Sequence, residues 1–304
     1  MTSASPNAVS LGASVRSLLR VLRVHQWVKN GLVLVPVVLD HKLFDRPVVL
    51  RAALAFAAFC LAASGAYVLN DLYDLEADRR HPTKRNRPFA AGAVSPGLGK
   101  LLVPVLFTGA ILIAFAIGAW GFSALLLLYV TATTAYSVYL KRIAVLDVLL
   151  LAGLYTLRVL AGIAATGVRF STWLLAFSMF LFLSLAFLKR YGEVGGLAGP
   201  ADTGVLRRGY LRGDREWLGS MGGASGYLSV LVLALYVSSE QVTALYRTPF
   251  LLWLICPVLL FWISRMWLLA HRGRLHDDPI VATARDPISY LLGAIVAVLM
   301  LAAV

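Results

Sequence analysis

The chain has 304 residues, of which 60% are hydrophobic and only 14% charged, and its mean hydropathy is +0.79. A soluble globule needs far more polar surface to cover its core, so this composition excludes one and points to a membrane protein. The formal net charge of +13 sits in clusters between apolar runs near membrane-spanning length, a pattern that the positive-inside rule explains before nucleic-acid binding does.

Residues 1–26 lack the apolar core of a cleavable signal, and their arginines suit a cytoplasmic, interfacial segment on the inner leaflet. A spanning helix needs about 20 mostly apolar residues. Nine stretches qualify: 27–41, 49–70, 100–119, 122–140, 145–167, 172–188, 223–239, 249–268 and 287–304. The first is interrupted by Lys29 and Asn30 and carries Pro36, so the alternative count is eight spans and one interfacial segment. The expected architecture is all-α: a polytopic membrane protein forming one domain over 1–304. With the N-terminus cytoplasmic, 22 of the 28 basic residues fall on inner segments or the span ends beside them, and Arg158 alone lies about halfway along a span. Both long connections, 71–99 and 189–222, then lie on the cytoplasmic side, where chemistry is expected. Cys60 and Cys256 sit within apolar runs without metal-ligand spacing and read as small hydrophobes. Trp27, Trp120 and Tyr246, near span ends, read as interfacial belts.

The most polar run follows the second span: NDLYDLEADRRHPTKRNRPFAAG, residues 70–92. Asp71, Asp74 and Asp78 stand at i, i+3 and i+7. If the helix continues through them they lie at about 0°, about 300° and about 340° around its axis, on one side, with Asn70 close to Asp74 and Glu76 pointing elsewhere. Three carboxylates on one face repel each other unless a cation sits among them, and oxygen donors without His or Cys suit Mg2+ shared with substrate phosphates. Lys84, Arg85 and Arg87, with His81, follow at once and suit phosphate oxygens, Arg by two-pronged contact. An inner-leaflet anchor on anionic lipid is the bland alternative for part of this run.

NDLYDLEAD matches the NDxxDxxxD pattern of the UbiA superfamily of intramembrane prenyltransferases, and the nine-span layout extends the resemblance over the whole chain. The resemblance implies a helical bundle around a central cavity that opens to the cytoplasm for the polar substrate and sideways for the lipid. Ordinary members carry a second DxxxD-type motif after the sixth span. This sequence departs from that, since Glu193 is the only acid near that helix end, flanked by Lys189, Arg190 and Tyr191. Together with HPTKRNRP, HQWVKN at 25–30, KRYGE at 189–193 and HDDP at 276–279, the departure resembles the decaprenyl-phosphate phosphoribosyltransferase branch. That branch implies transfer of the 5-phosphoribosyl group from phosphoribosyl pyrophosphate to a polyprenyl phosphate, for lipid-linked arabinose donors of the cell envelope.

By this resemblance Asp71, Asp74 and Asp78, supported by Asn70, hold Mg2+ against the donor's pyrophosphate. Lys84, Arg85, Arg87 and His81 take donor phosphates, and Lys189, Arg190, Tyr191 and Glu193 close the site. Lys29 either neutralises the lipid phosphate or snorkels to lipid heads. Arg158, halfway along the fifth span, is expected to face a wet cavity with an anionic partner, or else to pair structurally with Asp147 or a carbonyl. Asp277 and Asp278 read as structural. A prenyltransferase using a prenyl diphosphate and an aromatic acceptor is the competing enzyme, and a transporter of an anionic metabolite the competing class.

Overall fold

A computed structural model describes residues 11–80, 84–196, 209–243, 246–275 and 278–304. Among them every regular element is helical. Besides short 3-10 turns at Lys84–Asn86, Leu140–Arg142, Arg212–Asp214 and Pro249–Leu254, these are in chain order α1 (Leu11–Val21), a 3-10 segment Val24–Val33, α2 (Val35–Leu39), α3 (Arg46–Tyr73), α4 (Leu75–Arg80), α5 (Pro96–Ile117) and α6 (Trp120–Val138). There follow α7 (Leu146–Thr166), α8 (Thr172–Gly195), α9 (Arg215–Val237), α10 (Glu240–Thr243), α11 (Ile255–His271), α12 (Pro279–Thr283) and α13 (Pro287–Ala303).

Local chemistry sets the ends of the long helices. Asp45, Ser95, Ser171 and Asp286 each place a side-chain oxygen on a first-turn N–H of α3, α5, α8 and α13, satisfying donors that have no partner within the helix. Pro47, Pro96 and Pro287 occupy first-turn positions where no N–H is needed. α5 and α7 stop at Gly118 and Gly167, both at φ +71, a left-handed conformation that glycine enters without a Cβ penalty.

Seven helical stretches among the described residues are long and apolar enough to cross a membrane. The expected last span is the 17-residue helix Pro287–Ala303. The expected first span is not one straight helix: the 3-10 segment Val24–Val33 passes at Leu34 into the five-residue α2, which contains Pro36. Nine is therefore an approximate count, with the first crossing broken.

Packing follows residue size. α3 presents small residues, Ala55, Ala58, Ala62 and Ala63, all buried, and lies along α5. Together with α6 and α7 these helices enclose Phe59, Phe122 and Tyr129. A second core joins α7, α8, α9 and α11 around Phe182, Leu188, Leu218 and Met266. α7 belongs to both, packing on α6 and on α8, and Gly162 on it meets the backbone of Val33 so closely that a Cβ there would lie 2.1 Å from the carbonyl oxygen. Large apolar side chains such as Leu101, Phe115, Leu128 and Leu231 point outward and are exposed, as a bundle solvated by lipid tails requires. Trp120 is among these exposed residues, whereas Trp27 donates to Ser64 Oγ at 3.1 Å and Tyr246 is buried against His41, so the last two are packing residues.

Candidate active site

α3 runs past the apolar core into a polar end, and the helix is interrupted at Asp74 (φ −87, ψ 5) before α4 resumes. Beside this interruption lies a cavity of about 870 Å³. One turn after another of α3 lines it, through Ala63, Tyr67, Asn70 and Asp74. α6 contributes Tyr129, Thr133 and Tyr136, and α7 adds Leu154, Tyr155 and Arg158. These spacings place each set on one helical face.

The three aspartates do not act alike. Asp71 and Asp78, both 3% exposed, converge on one nitrogen: Arg87 Nη1 lies 3.1 Å from Asp71 Oδ1 and 2.6 Å from Asp78 Oδ2. Arg23 Nη2 donates to the same Asp71 oxygen at 2.7 Å, and its guanidinium lies over the Tyr67 ring. Asp74 is directed to the cavity, 3.5 Å from Lys141 Nζ. The single acidic face expected of a continuous helix is thus resolved into a pair and a separate third member, because the break at Asp74 turns it away from its neighbours about one turn before and one turn after. Glu76 is exposed at the rim and pairs with Arg79 at 2.8 Å.

The cavity is strongly basic. Arg23, Lys29, Lys84 and Arg87 line it, as do Lys141, Arg142, Arg158 and Lys189, against two acids, Asp74 and Glu76. Arg158 is 5% exposed and donates to Asn30 Oδ1 (3.0 Å), Leu154 O (2.6 Å) and Tyr129 OH (2.9 Å). It stacks on Tyr129 and Tyr155 as well. Among the described residues its hydrogen bonds go to neutral acceptors, so the expected pairing with Asp147 does not occur and only the carbonyl contact does.

Asp147 instead holds Arg190. Both side chains are fully buried, Arg190 reaches Asp147 through Nε and Nη2, and Nη2 also meets Tyr136 OH at 3.0 Å. Glu193 takes the Nη1 of the same arginine. Tyr191 packs on Trp267 and Arg215 and meets His271 Nδ1 at 3.0 Å. Arg190, Tyr191 and Glu193, expected to close the site, do not line this cavity and instead pair with residues behind it. They lie on α8, which continues to Gly195, and not in a loop. Residues 100° apart on a helix face different ways, and Lys189 is the one that reaches the cavity. Arg85 is exposed on a 3-10 turn. His81, His276 and Asp277 lie outside the described residues.

Asp278 caps α12, the structural role expected of it, and also bridges two cavity lysines: Lys29 Nζ and Lys189 Nζ each lie 2.8 Å from its Oδ2. Burial alone would raise its carboxyl, but the ammonium groups of Lys189 and Lys29 outweigh this and hold it well below the usual carboxylate range.

The donor set bears on a metal. Among the described residues no three His, Cys, Asp or Glu side chains gather closely enough to cage one. Two carboxylates nevertheless converge on a cationic nitrogen, with Asp74 and Asn70 facing the adjoining cavity. Oxygen-only donors of this number fit a Mg2+ shared with phosphates better than a closed protein site.

The UbiA prenyltransferase family model matches residues 37–284. The chain belongs to that family. It is 40% identical over 284 residues to the uncharacterized protein y4nM of Sinorhizobium fredii, covering 93% of this chain but 55% of y4nM, so it spans about half the length of that relative. It is 37% identical to the nodulation protein NoeC of Azorhizobium caulinodans over 87% of this chain and 85% of NoeC. Decaprenyl-phosphate phosphoribosyltransferase of Mycolicibacterium smegmatis is 35% identical over 63% of this chain and 61% of its own. A UbiA homologue from Archaeoglobus fulgidus, solved with GPP and Mg2+, superposes with a TM-score of 0.68 at 17% identity, over 93% of this chain and 99% of that one. The UbiA fold of this multi-span membrane protein is thereby shown.

The motifs in the sequence do not single out Arg23, Lys141, Arg142 or the tyrosines that line the cavity. A signal was present: Tyr67, Asn70 and Asp74, or Tyr129, Thr133 and Tyr136, repeat at helical spacing inside otherwise apolar spans.

Proposed function

We propose that this UbiA-family transferase moves the 5-phosphoribosyl group of phosphoribosyl pyrophosphate to a polyprenyl phosphate, with release of pyrophosphate, on the cytoplasmic side of the inner membrane. The observation that carries the reading is the charge of the cavity: eight basic residues face two acids, and Arg158, deeply buried, bonds only neutral acceptors among the described residues. A buried cation without a carboxylate is costly unless an anion joins it. A sugar donor with phosphates at both ends and a phosphorylated lipid bring several. α8 contributes a lysine to the cavity where a prenyl diphosphate enzyme of the ordinary type would need a second carboxylate set.

In this reading Asp71, Asp74 and Asp78 are the Mg2+ ligands, with Asn70 beside them. The ion, when bound, stabilises charge growing on the leaving pyrophosphate. Lys84, Arg87 and Lys141 line the same cavity and neutralise phosphate oxygens that the metal leaves. As the C1–O bond to pyrophosphate breaks, positive charge develops on the ribose, and an oxygen of the acceptor phosphate forms the new bond to C1. That oxygen is already anionic, so the step needs no general base. Attack from the face opposite the leaving group inverts C1.

The test incubates purified protein and Mg2+ with phosphoribosyl pyrophosphate plus polyprenyl phosphate, and separately with prenyl diphosphate plus 4-hydroxybenzoate. A phosphoribosyl lipid in the first mixture, with the inverted C1, is expected. Product in the second alone would replace this reading by aromatic prenylation.

A further inference from the structure

Lys29 and Lys189 come from elements far apart in sequence, the 3-10 segment and α8, yet their ammonium groups meet on one oxygen of Asp278. The Lys29 and Asp278 side chains are 8% and 10% exposed. Two positive charges facing a single negative one leave a surplus in a buried place, and Lys29 has a further positive neighbour in Arg158. Six ammonium hydrogens also exceed what one carboxylate oxygen can accept. Both lysines line the cavity. Asp278 holds a second partner of its own, the Ile280 N–H at the start of α12, which its Oδ1 accepts at 3.3 Å. It therefore retains a hydrogen bond if the lysines turn to another anion.

We propose that the Lys29–Lys189 pair is a binding site for a phosphate monoester, and that Asp278 is the internal anion this ligand displaces. A phosphate monoester carries up to two negative charges and three acceptor oxygens, matching two ammonium groups where a carboxylate matches one. The proposal rests on the reading above, in which the acceptor lipid and the 5-position of the sugar donor both offer such a group. Asp278 then sets affinity by competition: it keeps the lysines paired, and binding must overcome that pairing.

The experiment measures direct binding of farnesyl phosphate, ribose 5-phosphate and farnesol to the full chain in detergent, by thermophoresis and by ligand-induced thermal shift. For Asp278→Asn, binding of one of the two phosphates is expected to tighten about tenfold, with a larger thermal shift than wild type, while farnesol is unaffected. The phosphate that responds identifies the lipid or the sugar as the occupant. Lys189→Gln is expected to weaken the same ligand about tenfold, since one charged hydrogen bond is lost. Unchanged or weaker binding of both phosphates in folded Asp278→Asn overturns the proposal. If Asp278→Asn does not fold, unchanged binding in Lys189→Gln overturns it. Because no transfer is measured, binding through these lysines without any phosphoribosyl lipid product keeps the site and removes the reaction, and the converse result removes the site alone.

Discussion

The Arg190 guanidinium and the Asp147 carboxylate, neither with any side-chain exposure, clasp each other through two hydrogen bonds and tie α8 to α7. Removing one member leaves the other charge buried, which costs about 3–5 kcal/mol. Asp147→Ala is therefore expected to lower the thermal midpoint in detergent sharply. Tyr136→Phe, which removes only a hydroxyl from the same cluster, should cost about 1 kcal/mol. Equal losses in a thermal-unfolding comparison would show that the clasp is not the stabilising contact.

That clasp also marks what sequence could and could not reveal. The apolar runs, the basic end and the acidic motif were legible, since each is a local pattern of residue type. Partnership was not: Arg23 reaches Asp71 across 48 positions, and no spacing announces such a contact. Arg190 escapes the sequence for a different reason. With the sixth span ending at 188, Lys189 to Glu193 read as a loop whose side chains can all turn inward. In the structure α8 continues to Gly195, and helical periodicity gives the cavity one of them and the core another. The break at Asp74 was likewise invisible, because NDLYDLEAD contains neither glycine nor proline to signal it.

The split of the acidic motif predicts two kinds of variant. Asp74 is part-exposed and only 3.5 Å from a single lysine, so Asp74→Asn should leave stability within about 0.5 kcal/mol while transfer falls at least about a hundredfold. Asp71→Asn frees Arg23 and Arg87 from a buried carboxylate and should lower both activity and the thermal midpoint. Glu76→Gln, at an exposed pair, should change neither. Paired activity and unfolding measurements on the three proteins check this, and a shared profile for Asp74→Asn and Asp71→Asn would count against the division.

Gly162 permits the closest approach of α7 to the segment that carries Lys29 and Asn30. A methyl group there meets the Val33 carbonyl, which is backbone and cannot rotate away. Gly162→Ala should cost about 1–3 kcal/mol by overpacking and reduce turnover by shifting Lys29. Gly153 lies on the same helix with open space around the added carbon, and Gly153→Ala should be close to neutral. Similar thermal midpoints for the two variants would mean that the contact at Val33 relaxes freely.

The last prediction concerns acid. Asp278 has its carboxyl lowered in the folded protein: burial opposes this, and Lys189 and Lys29 overcome it. A carboxyl lowered on folding adds stability above its unfolded value, here 3.8, and loses it as pH falls through the folded value. The stability gap between wild type and Asp278→Asn should therefore be constant from neutral pH down to about 5. Below about 4 it should narrow, because the unfolded chain then takes up a proton that the folded carboxyl, held as an anion by the two lysines, still refuses. Thermal midpoints of both proteins across this range test it, and a gap that stayed constant below pH 3, or widened, would show that the two lysines do not hold Asp278 as an anion.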